Sequence, residues 1–301
     1  MHTAVGAVLF KDEKLAMDVC GMTEVINQEV QQDEGEGIEA VAQSGSNEWL
    51  YGRAGYLYLL RMLRYHFPPL THDGLRTTID QSIRSTVACI MKTYNAHRRW
   101  TWHGKEYLGA AHGVVGIITQ VVMSCRTVSD PIPREISGMV EQLLDEQLDS
   151  GNWLATRDGS GGDTLVQFCH GAPGIITSLM SIEPSFPDLS ARIQLACSRG
   201  RAVTERRGLL KKQPCLCHGI TGNALAFDNN EPMMHYLSFT TRSFLSKHGH
   251  DHFTSRSESV DEKFGLCSGE AGKAWGFVVA ELLVDLGREE WRGKVIGYND
   301  L

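Results

Sequence analysis

The sequence predicts an all-α protein: an α/α toroid, a double-layered helical barrel built from repeated helix hairpins. Three observations predict it. Gly-x-x-Gly recurs five times, each occurrence opens an apolar run, and the stretches between have helical periodicity. The first glycines are Gly52, Gly113, Gly171, Gly219 and Gly269, at steps of 61, 58, 48 and 50 residues. A lone Gly-x-x-Gly carries no information, whereas five at such steps mark a repeat protein.

Taken in order, residues 1–40 read as an N-terminal helical or irregular segment and 41–301 as the toroid domain. The motif "LYGRAGYLYLL" starts the first apolar helix, and "LRTTIDQSIRSTVACIMKTY" (75–94) supplies its amphipathic partner. "AHGVVGIITQVV" pairs likewise with "REISGMVEQLLDEQL" (134–148), and "CHGAPGIITSLM" with "LSARIQLACSRGRAVTERR" (189–207). "CHGITGNALAF" pairs with "MMHYLSFTTRSFLSKH" (233–248), and "CSGEAGKAWGFVV" opens a last apolar helix. The uniformly apolar helix after each glycine pair suits an inner layer, and the amphipathic one a water-facing outer layer. Glycine at a helix start lets backbones approach closely and leaves N–H groups to face an anion. Nothing in the pattern calls for a sheet. About 46 residues precede the first motif. With so few, the expected toroid is short of repeats at its N-terminal side and open there.

With 301 residues, 42% hydrophobic and 22% charged, the chain can bury a sizeable core. Its 29 Lys and Arg against 36 Asp and Glu give a formal charge of −7, which leaves no basic face and argues against nucleic acid as a partner. No apolar run approaches the roughly twenty residues that span a bilayer, and the N-terminus turns acidic too early for a signal peptide. The expected location is cytoplasmic, with no transmembrane segment and peripheral membrane association left open. Eight cysteines in such a chain are expected to be reduced, buried or metal-bound rather than paired.

The residues just before each glycine pair are Tyr51, His112, His170, His218 and Ser268, with Cys169, Cys217 and Cys267 one position earlier in the last three. Small half-buried residues at helix bends would explain each of these alone. Together they concentrate soft ligands. Catalytic zinc usually takes three protein ligands and keeps a fourth position open, and Cys169, Cys217 and His218 supply that number from two neighbouring repeats. Such a site suits a thiol substrate, because zinc holds a coordinated sulfur as thiolate.

The motifs "LYGRAGYLY", "YLGAAHGVVGI", "FCHGAPG", "RGLLKKQPCLCHGITGNALAF" and "GLCSGEAG" resemble the lanthionine synthetase C-like family, and more specifically its eukaryotic glutathione-binding members. The resemblance runs from about Asn47 to Leu286. It implies an α/α barrel with one zinc ion per chain on Cys169, Cys217 and His218, an acid/base at His112, and a glutathione contact at Lys212. Bacterial members of the family add cysteine thiols to dehydroalanine or dehydrobutyrine in peptides. The eukaryotic members add glutathione to such residues in proteins, and they eliminate phosphate from phosphorylated Ser or Thr. Glu48 stands where family members often carry aspartate before the first motif, which keeps a carboxylate on a longer stem. Phe168 replaces the tryptophan usual before the zinc cysteine.

Other groups have plainer readings. Cys215 has no counterpart in the family motif and reads as packing, as does Cys267. His170 reads as a loop-orienting group. The histidines of "HGHDHF" (248–253) read as surface residues. Arg53, Lys211, Lys212, Arg206 and Arg207 make a candidate basic rim for the carboxylates of glutathione or for a phosphorylated side chain.

The expected function is therefore zinc-dependent addition of glutathione or a peptide cysteine to a dehydrated or phosphorylated peptide or protein. In it His112 and Glu48 handle the proton, Lys212 and Arg53 bind substrate, and Cys169, Cys217 and His218 hold the metal. The alternative is a zinc- and glutathione-binding regulatory or scaffold protein without turnover. A glycosidase-type toroid is weaker, because it needs a close carboxylate pair.

Overall fold

The computed structural model describes residues 2–28, 46–68, 73–241, 243, 244, 247 and 264–301. Among these the regular structure is helical, and the single β-contact is an isolated bridge between Trp102 and Lys105. The chain divides into two compact units: residues 1–107, 112–136 and 301, and residues 108–111 and 137–300.

The first unit contains α1 (His2–Phe10), α2 (Glu13–Gln28), α3 (Arg53–His66), α4 (Asp73–His97) and α5 (Val114–Val128). α3 and α5 pack side by side, and α4 lies against both. α5 is buried nearly all round, including Val115, Ile118, Val121 and Val122, whereas α4 buries one stripe through Leu75, Ile79, Ile83 and Ile90. That is the inner and outer assignment the periodicity predicts. α5 stops where Ser129 turns left-handed at φ 57° and its N–H returns to the Arg126 and Cys125 carbonyls; Pro131 and Pro133 then bar continuation.

The second unit contains α6 (Glu135–Asp145) from Ser137 onward, α7 (Ala172–Ile182), α8 (Ser190–Arg207), α9 (Ile220–Ala224), α10 (Asn230–Ser238) and α11 (Glu270–Val284). α9 packs against both α7 and α11, with α8 on α7 and α10 on α9 and α11. Two elements are shorter than the periodicity predicts. α9 has five residues, because the backbone tightens into short-range bonds from Ala226 to Asn223 and from Phe227 to Ala224. α10 ends at Ser238, where the hydroxyls of Ser238, Thr240 and Thr241 bond the carbonyls of His235, Leu237 and Ser238. α11 also departs from a fully interior helix: Phe277, Val278 and Val284 are exposed, while Gly276, Val279, Ala280 and Leu283 are buried.

Each motif's first glycine is the residue before an apolar helix: Gly52 for α3, Gly113 for α5, Gly171 for α7, Gly219 for α9 and Gly269 for α11. The reason for two glycines is steric. A Cβ on Gly52, Gly171 or Gly219 would sit 2.3 Å from the carbonyl oxygen six positions earlier. One on Gly55, Gly174, Gly222 or Gly272 would sit 2.1, 1.8, 1.9 or 2.1 Å from the oxygen at the same offset. The loops ahead of α3, α7, α9 and α11 therefore fold back so tightly that a side chain at these glycines would collide with them.

Candidate functional site

In the second unit, the Cys169 and Cys217 loops are fastened to each other. Cys169 N–H donates to the Cys217 carbonyl at 2.9 Å, and Cys217 N–H donates to the Cys267 carbonyl at 2.8 Å. Reciprocal bonds of 3.1 Å between Gln167 and His170 close a tight loop with Cys169 inside it. Gly109 lets the Cys169 carbonyl approach, since a Cβ there would be 2.1 Å from that oxygen.

Packing of this kind brings the two thiols into hydrogen-bonding contact. Cys169 is pulled below the ordinary thiol range because Cys217 donates to it, and the Gln167 amide and the Lys212 charge add to this against the effect of burial. Cys217 is pushed well above the ordinary range because it supplies that hydrogen bond, with burial and the surrounding sulfurs adding to it. Of the pair, Cys169 is therefore the thiol that gives up its proton more easily. Gln167 is the link that the sequence did not reveal: its amide donates to the Cys169 sulfur at 3.1 Å, and its oxygen accepts from Lys212 Nζ at 2.6 Å. Nothing marked it beyond its place two residues before the cysteine.

Two adjacent thiols suit a soft cation, and His218, half-buried, is the next residue after Cys217. Among the described residues, no three His, Cys, Asp or Glu side chains are gathered around one point: the structure brings Cys169 and Cys217 together but does not close the expected trio with His218. All eight cysteines are free thiols, as their usage predicts. Cys215 is fully buried, and burial pushes its thiol up. The "HGHDHF" histidines lie outside the described residues.

In the first unit, Glu48 and His112 are 64 residues apart in sequence, yet Nδ1 of His112 lies 2.8 Å from Glu48 Oε2. The Glu48 carboxylate is 1% exposed and accepts the backbone N–H groups of Leu50 and Tyr51. A carboxylate already accepting two N–H groups takes a third donor, so Nδ1 carries the hydrogen and Nε2 is directed the other way. The Trp102 ring lies flat on the imidazole, with centroids 3.7 Å apart and planes 2° apart. Tyr51 is nearly parallel at 6.2 Å, and Tyr107 presents an edge at 6.2 Å.

The basic rim is only partly as expected. Arg53 is 1% exposed, and its guanidinium donates to Asn47 Oδ1 at 3.2 Å and to the Ile26 carbonyl at 2.7 Å, so it fastens α3 to α2 inside the unit rather than facing a substrate. Arg207 is paired with Asp163 at 3.0 Å, and Arg206 donates to the Ser150 carbonyl at 3.1 Å. Lys211 is exposed and Lys212 half-buried.

These features define a helical-hairpin protein with paired loop thiols in one unit and a carboxylate-oriented histidine in the other. The sequence profile of the lanthionine synthetase C-like proteins matches residues 4–281, taking in α1 and α2 ahead of Asn47, and the chain belongs to that family. Over 187 residues it is 30% identical to glutathione S-transferase LANCL1 of Danio rerio, covering 60% of this chain and 45% of that protein. Over 241 residues it is 27% identical to LanC-like protein GCL1 of Arabidopsis thaliana, covering 75% and 53%. The chain thus spans about half the length of these curated relatives. Nisin cyclase matches 92% of this chain with 72% of its own, at a TM-score of 0.54 and 13% identity, which shows the shared α/α toroid fold class. No helix among the described residues is long and apolar enough to cross a membrane.

Proposed function

We propose that the protein adds a thiol, glutathione or a peptide cysteine, to a dehydroalanine or dehydrobutyrine residue and forms a thioether. The observation that carries this reading is the hydrogen-bonded Cys169 and Cys217 thiol pair, backed by Gln167 and Lys212, in a chain of this family. Similarity to a glutathione S-transferase and to a cyclase supports both thiol classes. Cys169, Cys217 and His218 would hold one zinc ion, which when bound supplies the Lewis acidity that keeps a thiol substrate ionised. Lys212 offers its charge to a substrate carboxylate. His112, its Nδ1–H held by Glu48, takes at Nε2 the proton that the thiol gives up and hands it to the carbon next to the carbonyl after the sulfur adds; in the reverse elimination Nε2 removes that proton and the thiol recovers it.

The test is incubation of zinc-analysed protein with glutathione and a dehydroalanine peptide, read by mass spectrometry. A thioether lost in Cys217→Ala and strongly slowed in His112→Ala is the expected result. Stoichiometric zinc without any thioether would instead favour the non-catalytic zinc- and glutathione-binding reading.

A further inference from the structure

A histidine ring is tethered to the backbone and turns about χ1 and χ2, so its hydrogen bond lasts only while those two torsions are held. The bond from Nδ1 of His112 to Glu48 restrains one edge of the ring. A flat surface against the ring restrains its plane. Trp102 provides that surface at 3.7 Å and 2°.

The backbone around Trp102 is built for presentation. Trp102 and Lys105 exchange two backbone bonds of 2.9 and 3.1 Å, closing a two-residue turn. Its central residues, His103 and Gly104, both have positive φ, 46° and 73°, as tight hairpins of the mirror-image class require. Histidine is among the side-chain-bearing residues that enter this region more readily, and His103 packs its ring against the edge of Trp102 at 4.3 Å. Tyr107 closes on the indole from another side at 5.7 Å. The indole is thus held by a strained turn and by two rings, and its face is given over to one imidazole.

We propose that Trp102 is a positioning residue for His112: the turn at 102–105 lays its indole on the imidazole, and with Glu48 this fixes both the tautomer and the direction of Nε2. The assignment rests on the reading of His112 as the proton carrier, and its test is arranged so that the two can fail separately.

The experiment uses the zinc-loaded full chain as wild type, Trp102→Phe, Trp102→Leu and Gly104→Val. Gly104→Val has open space around its Cβ and strains only the turn, so it moves the indole without removing it. Nitrogen-15 NMR of labelled histidine reads which ring nitrogen of His112 carries the hydrogen. The expected result is one Nδ1–H tautomer in wild type and in Trp102→Phe, and averaged tautomers in Trp102→Leu and Gly104→Val. In thioether formation, Trp102→Leu should lose about 10- to 100-fold in kcat with KM nearly unchanged, and Trp102→Phe should recover most of it.

A single tautomer retained in Trp102→Leu, or a raised KM with unchanged kcat, would overturn the assignment. If wild type forms no thioether, the functional reading falls, while the tautomer measurement still decides whether Trp102 positions the ring.

Discussion

Glu48 shows how little freedom a single buried side chain can have. Its two oxygens serve three donors: Leu50 N–H and His112 on Oε2, and Tyr51 N–H on Oε1. Glutamine is no substitute there, because its NH2 would face a donor. We expect Glu48→Gln to lower folding stability by about 1–3 kcal/mol, measured by urea unfolding, and to release the His112 tautomer; unchanged stability would mean that the carboxylate is not accepting those bonds. Lys212 makes a second prediction. Its charge and the Gln167 bridge both favour thiolate at Cys169. Lys212→Met should therefore raise the pH at which that thiol ionises in metal-free protein, followed by thiolate absorbance. Cys169, Cys217, His112 and Lys212 stood out in the sequence as candidates because motifs surround them. Gln167 and Trp102 were not, since their roles arise from contacts that no local pattern encodes, and Arg53 misled because charge alone does not distinguish a rim from a buried tie.

Among the elements, the amphipathic helices of the outer layer were the easiest to read, and α4 and α8 follow their periodic stretches closely. α9 and α10 were overestimated, because hydroxyl side chains and short-range turn bonds end a helix without disturbing its apolar pattern. The glycine pair yields a sharper prediction. A methyl on Gly174 would meet the Phe168 oxygen at 1.8 Å and the Ala110 side chain at 2.8 Å. Gly174→Ala should cost about 1–3 kcal/mol in thermal unfolding and weaken zinc retention, because the displaced carbonyl is next to Cys169. Gly138→Ala, on the exposed face of α6 with nothing within 4 Å, should instead stabilise by about 0.5–1 kcal/mol. Similar effects at the two sites would show that the loop is looser than its contacts indicate.

For the molecule as a whole, the buried thiols make stability depend on alkaline pH. Burial holds Cys20 and Cys125 up to about 11 and Cys197 up to about 12, against an ordinary value near 9. Above pH 9 the unfolded chain gives up these protons while the folded chain keeps them, so stability present below pH 9 is lost as pH rises towards 11 and 12. The slope is up to about 1.4 kcal/mol per pH unit for Cys197. Thermal midpoints should be level from pH 7 to 8.5 and fall beyond 9, with Cys197→Ala flattening the decline; a midpoint that rises above pH 9 would contradict this. The close approach of glycine to the carbonyl six residues before it has a consequence on the same scale. That offset is a fixed gauge within every motif in which it is seen, while the distance between motifs varies from 48 to 61 residues. Length is therefore policed only inside the motifs, and peptide inserted elsewhere, such as a reporter tag after Ser238, should leave the thiol loops undisturbed.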